Sequence, residues 1–270
     1  MNRIYISTYC VDFRHYDTLK RMVQELDGTN VGVEFATSWN YPAFDELLDA
    51  QVDNFRGIPV TIHAPFGESC CAPGSAEYAR MEVSFDKAFR WYHAFNAASM
   101  VMHTHKRSAM PEEAVQLRFQ AEEVIRMMAE RAWRENVNLT VENVGFRSRG
   151  SELYGQEEFI RLFDRLPWSV GALIDTGHAM LNGWDIPYVI RSLGSRIRGY
   201  HLHNNDGVED LHRPMFADGM CYSGEQMEEL LKTIARHSPN ADLILEYAPG
   251  AHICTELFSQ DITRMWEIMK

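Results

Sequence analysis

The sequence predicts an α/β protein, a single (β/α)8 TIM barrel over residues 1–270, and three observations lead there. Short β-rich runs alternate strictly with longer amphipathic ones, and eight such pairs can be traced. The length of 270 residues is the usual size of that barrel, and no Gly/Ser-rich linker or shift in composition divides it. Residues that bind metals or move protons recur where the strands end, the face on which such barrels carry their sites. A Rossmann fold is disfavoured, because no GxGxxG follows the first strand.

Strand one is Ile4 to Ser7, and the helix after it, Tyr16 to Leu26, carries Leu19, Met22, Val23 and Leu26 on one face. Val31 to Phe35 is strand two, with Phe44 to Phe55 as its helix. Pro59 to His63 is strand three; an irregular Gly/Cys/Pro loop leads into a long helix over Ala76 to Asn96. Ser99 to His103 is strand four, and its helix, Pro111 to Asn136, opens on a proline, which suits a first helical turn. Asn138 to Glu142 and Val170 to Ile174 are strands five and six, separated by a helix near Gln156 to Arg165. A short helix and a second at Ile186 to Leu193 precede strand seven, Ile197 to His201. A helix over Gly224 to His237, strand eight at Leu243 to Glu246 and a last helix, Cys254 to Met269, follow. Large apolar groups on helices, Trp91 and Trp133 among them, are expected in the core or between helices.

Lys plus Arg number 26 against 38 for Asp plus Glu, a net charge of −12. An acidic surface repels a polyphosphate backbone, which disfavours nucleic acid as a partner. No apolar run approaches a membrane span, and Met1 to Cys10 lacks the apolar core of a signal peptide. A cytoplasmic location without membrane association is therefore expected. The five cysteines, Cys10, Cys70, Cys71, Cys221 and Cys254, lack CxxC spacing and fit reduced, incidental thiols.

The stretch Gly199 to His212, GYHLHNNDGVEDLH, concentrates the chemistry. His201 and His203 share one face of an extended strand, and Asp206, Asp210 and His212 follow at once. Imidazole and carboxylate together suit zinc, manganese or ferrous iron. Other strand ends add Glu34, His63, His103, His105, Glu142, Asp175, His178 and Glu246. A closed barrel would gather these scattered residues around a divalent metal.

Several segments carry a family resemblance: IHAPF at 62–66, VENVG at 141–145, LIDTGHAM at 173–180, HLHNND at 201–206 with DLH at 210–212, and LEYAP at 245–249. In this order they span most of the barrel. The chain resembles the xylose isomerase-like TIM-barrel superfamily, which includes sugar and sugar-phosphate isomerases and epimerases and the endonuclease IV group. In the epimerase-like branch the resemblance implies one divalent metal (Mn, Co, Mg or Zn) held by Glu142, Asp175, His201 and Glu246. It also implies that the two glutamates act as an acid/base pair and that His178 touches a substrate oxygen. In the endonuclease IV branch it implies up to three Zn, with His63, His103, His178, Asp210 and His212 as further ligands. Two departures weigh against that branch. Its His-Pro-Gly after strand four is His103-Thr104-His105 here, and its Gly-rich turn is replaced by Arg213 to Gly219.

A strand-end carboxylate can equally be an ion-pair partner, and a lone histidine is often hydrogen-bonded filler. For Glu142, Asp175, His201 and Glu246 together, the ligand role outweighs this, because barrel sites cluster on this face. His203 stays open between metal, substrate and packing. Glu34, Trp39, Phe66 and Arg213 are expected to shape the substrate site. The cations Lys106, Arg107, Arg147 and Arg149 are placed to face a phosphate or carboxylate, or simply to be solvated.

The expected function is a metal-dependent isomerase or epimerase of a sugar or sugar phosphate. Proton transfer next to a carbonyl needs a base, an acid and a Lewis acid that stabilises the enediolate. The alternatives are a zinc phosphodiesterase on abasic DNA, a metal-dependent lyase or dehydratase, and a degenerate barrel that binds a ligand without turnover. A homodimer is compatible with the sequence, although no surface marks it.

Overall fold

The computed structural model describes residues 3–11, 15–26, 31–37, 43–65, 67–106, 110, 112–249 and 254–270. Its strands are β1 (Ile4–Ser7), β2 (Val31–Ala36), β3 (Val60–His63), β4 (Met100–His103), β5 (Leu139–Glu142), β6 (Gly171–Asp175), β7 (Ile197–Leu202) and β8 (Asp242–Leu245). All pair in parallel in sequence order, and β8 returns to β1 through Ile4 opposite Leu243, closing the barrel. The helices between them are α1 (Tyr16–Glu25), α2 (Phe44–Asn54), α3 (Ala76–Ala94), α4 (Ala114–Arg134), α5 (Gln156–Arg165), α6 (Thr176–Leu181), α7 (Ile186–Leu193) and α8 (Gly224–His237). After β8 comes α9 (Thr255–Met269).

The strands are short and buried on both faces, so they read as nearly unbroken apolar runs rather than as alternating ones. Alternation shows only in what each face touches. Tyr5, Val101, Leu173 and Ile244 pack together as one cluster, and the other face of the strands joins the large core shared with the helices. Trp91 of α3 is fully buried against Phe44 of α2, with ring centroids 5.8 Å apart, and its indole donates to Asp49. Truncating a buried tryptophan of this kind costs about 3–5 kcal/mol.

Two sequence expectations are corrected. The helix expected from Pro111 begins at Ala114, with Glu113 at its cap; Pro111 lies outside the described residues. Trp133 is 73% exposed, because the buried stripe of α4 runs through Val124, Ile125, Met128, Ala129 and Ala132 and leaves it outside. Among the described residues, no helix is long and apolar enough to cross a membrane.

Candidate metal centre

The C-terminal ends of β3 to β8 meet at one rim, and their register sets which side chains face each other. His103 lies opposite Glu142, and Asp175 lies opposite His201. Asp175 does two jobs at once. It ends β6 and caps α6, its Oδ1 accepting from the His178 backbone N–H at 2.7 Å, which fixes His178 one turn further on. The Asn143 side chain accepts from the Asp175 N–H and donates to the Asp175 carbonyl, locking the end of β5 to the end of β6. Gly177 leaves the space that this packing needs: a Cβ there would fall 1.9 Å from Cε1 of His203. After β7 the chain doubles back through an antiparallel bridge between Asn204 and Arg213, which returns Asp210 and His212 to the rim.

Among the described residues, five overlapping groups of three ligand-type side chains result, with the ligand atoms of each group within 4.8 Å of one another. Three of them divide the rim: His63, His103 and Glu142; Glu142, Asp175 and His201; His178, Asp210 and His212. Glu246 joins the second through its Oε2, 3.3 Å from Nδ1 of His201. Glu142 belongs to two groups. Its Oε2 lies 3.3 Å from Nε2 of both His63 and His103, while its Oε1 lies 3.3 Å from Nδ1 of His201.

Backbone and carboxylate partners decide which nitrogen each ring presents. His63, His178 and His212 donate from Nδ1 to the carbonyls of Ala64, Asn143 and Glu246, which turns each Nε2 toward the rim. His201 is reversed: its Nε2 donates to Glu34 at 3.1 Å, leaving Nδ1 to face the carboxylates. Among the described residues, Oε2 of Glu142, Nδ1 of His201, Nδ1 of His203 and Oδ1 of Asp210 are buried without hydrogen-bond partners. Buried polar atoms are rarely left so, and a cation at this point would satisfy them. The donor set, imidazole with carboxylate, therefore fits divalent ions such as zinc or manganese.

The ionisation pattern agrees. Burial raises the Glu142 carboxyl, but His201 and His103 outweigh it and hold the group well below the usual carboxylate range. Asp175 is likewise pushed up by burial yet held at about 2 by His178 and His203. Burial pulls His178 and His201 down, but Asp175 on the first and Glu246 with Glu34 on the second lift both well above the ordinary imidazole value. His103, where burial dominates, falls to about 4.

The rim opens into a cavity of about 350 Å3 lined by Tyr9, Val144, Phe146 and Lys106 together with most of the ligand-type side chains; Asp175 and His201 lie beneath its lining. A larger cavity, about 510 Å3, lies at the opposite end of the barrel beside Arg3, Ser99, Asn138 and Asp242. It holds none of the ligand groups, so size does not identify the site.

The rim brings together Glu142, Asp175, His201, Glu246, His63, His103, His178, Asp210 and His212, and it changes the placing of others. Glu34, expected to shape the substrate, is 2% exposed beneath His201, also accepts from Thr61 and does not line the cavity. His203 donates from Nε2 to Asp175 at 3.1 Å, stacks on His212 at 3.9 Å and also forms a ligand-type group with His212 and Glu246. Arg213 is exposed near Asp206, away from the lining. Asp206 itself caps the turn at Val208 and Glu209. His105 holds Ser151 through Nε2 and Thr104 through Nδ1 instead of facing a ligand group. Trp39, Phe66 and Arg107 lie outside the described residues. Tyr9, which tilts over His212 at 4.9 Å, and Phe146, which meets His178 edge-on at 5.2 Å, had no sequence signal beyond following β1 and β5.

Solved structures with this arrangement of strands include the TTHB071 protein of Thermus thermophilus, from crystals soaked with ZnCl2. It is 18% identical with a TM-score of 0.72, over 98% of each chain. A D-tagatose 3-epimerase-like protein matches at 15% identity and TM-score 0.74, over 99% of this chain and 98% of its own. Endonuclease IV of Thermus thermophilus matches at 17% and 0.63, over 98% and 99%. At such identities the likeness establishes the fold. No curated protein matches the sequence. The family model described as xylose isomerase-like TIM barrel matches residues 32–257, and the chain belongs to that family.

Proposed function

We propose that this chain is a divalent-metal enzyme that cleaves a phosphate ester of a small, sugar-like substrate. The observation that carries this reading is the double engagement of Glu142, one oxygen toward His63 and His103 and the other toward His201. Proton transfer beside a carbonyl needs one ion, and it leaves His63, His103, Asp210 and His212 without a task. His63, His103 and Glu142 would hold one ion; Glu142, Asp175, His201 and Glu246 a second; His178, Asp210 and His212 a third. Bound divalent ions supply Lewis acidity and neutralise charge in displacements at phosphorus.

The chain's own groups do the rest. Tyr9, Val144 and Phe146 wall the cavity and exclude water from its apolar side. Glu246, 7% exposed and lining the cavity, is placed to take a proton from the water that attacks phosphorus as the bond to the sugar oxygen breaks and the sugar leaves as its alcohol. A cavity of about 350 Å3 takes a monosaccharide-sized group, and a net charge of −12 opposes a long polyanion. Both favour a small ester over an abasic DNA strand.

A second reading, isomerisation or epimerisation of a sugar or sugar phosphate, is favoured by a different observation. Glu142 Oε1 and Glu246 Oε2 each lie 3.3 Å from Nδ1 of His201, so two carboxylates flank one point from β5 and from just beyond β8. One would take a proton from a substrate carbon and the other return it.

Incubation of ion-loaded protein with ketoses, ketose phosphates and an abasic duplex in heavy water separates the readings. Phosphate released without deuterium entering the sugar supports ester cleavage. Label incorporated without phosphate release supports the isomerase, and scission of the duplex would extend the substrate to DNA.

A further inference from the structure

Three described cations, Lys106, Arg147 and Arg149, follow β4 and β5 in sequence on the side of the metal centre, and the structure separates them. Arg147 pairs with Glu152 and Arg149 with Glu209, so both guanidinium groups are engaged. Lys106 differs. It lines the cavity, it is the only Lys or Arg among the described lining residues, and among the described residues it pairs with no carboxylate. Its backbone position is fixed by its neighbour. His105 is buried, held by the Thr104 hydroxyl on one side and the Ser151 carbonyl on the other. That second bond also pins the 146–151 loop, where Gly145 has a φ of +87° and a Cβ would strike the Ser151 carbonyl at 2.0 Å. Lys106 and Phe146 therefore belong to one braced rim of the cavity.

Lys106 lines the same cavity as Glu142, Asp210 and Glu246, and its flexible four-carbon stem is paired with none of them. Those carboxylates are already turned toward histidines. The ammonium is left to meet whatever enters.

We propose that Lys106 receives an anionic group of the substrate, a phosphate or a carboxylate, so that the site selects charged over neutral sugars. The proposal rests on the reading of this cavity as a site for a sugar-like substrate. One charge-assisted contact of this kind accounts for a preference of roughly tenfold or more.

Calorimetric binding to ion-loaded protein tests it without turnover. D-Fructose 6-phosphate is compared with D-fructose, and D-glucuronate with D-glucose; elemental analysis reports on the ions. The wild type binds the charged member of at least one pair more tightly. Lys106→Met lowers that preference about tenfold or more, leaves the neutral sugar unchanged, and keeps its ion content; Lys106→Arg retains most of the preference. Which pair responds separates phosphate from carboxylate. The proposal is overturned if Lys106→Met keeps the wild-type preference, if the neutral sugar weakens in parallel, or if the wild type discriminates in neither pair. Absence of phosphate release or label exchange would sink the proposed function instead, because binding is read independently.

Discussion

Nε2 of His201 donates to Oε1 of Glu34 over 3.1 Å, joining β7 to β2 inside the barrel. This bond decides that Nδ1 is the nitrogen offered to Glu142 and Glu246. A carboxylate behind a ligating imidazole orients the ring and raises its basicity, and losing such a partner typically costs about 10–100-fold in ion affinity.

Glu34→Ala should therefore weaken ion binding by roughly that factor, although Glu34 does not line the cavity. Titration with zinc against a competing chelator measures it. An unchanged affinity would mean that the Glu34 bond does not orient His201.

Proton release provides a second prediction. Burial lowers His212, but Asp210 and Glu246 hold it up at about 9, and His178 and His201 also lie well above the ordinary value. Ions bind neutral imidazole, so loading at pH 7 expels protons and affinity rises with pH. Calorimetry in two buffers of different ionisation heat should give different apparent enthalpies; equal values would contradict the protonated state.

The same group sets a stability window for the ion-free protein. Its folded value is raised, so the His212 contribution is complete below 6.5 and is lost as pH rises through about 9. Denaturant melts at pH 6.5 and 9.5 should differ by up to about 3 kcal/mol from this residue. The difference should shrink in His212→Gln.

Gly177→Ala drives a methyl group into His203, whose ring supports Asp175. Overpacking of this kind costs about 1–3 kcal/mol, read as a lowered Tm together with weaker ion binding. A variant as stable as the parent would show that His203 has room to move.

The fold was legible because eight apolar runs alternate with amphipathic ones, and each strand was expected within a residue or two of its place. The meeting of the candidate ligands was legible for the same reason: Glu142, Asp175 and His201 end or lie within strands whose order a closed barrel dictates. What sequence could not show was depth. Glu34 and Glu142 both face inward near strand ends, yet Glu34 lies beneath His201 and Glu142 beside it, a difference fixed by the stagger of neighbouring strands. Asp206 and Asp210 are four residues apart in one loop, and only the Asn204–Arg213 bridge turns Asp210 inward. The sharing of Glu142 by two ligand groups was also hidden, because it depends on the separate paths of β3, β4 and β7.

The most direct test is the number of ions per chain, by elemental analysis after loading and dialysis, in the wild type and in Glu142→Ala. The wild type should hold more than one, and removing this single carboxylate should lose more than one. A wild type that binds no ion, or a variant whose ion count is unchanged, would contradict the shared role of Glu142.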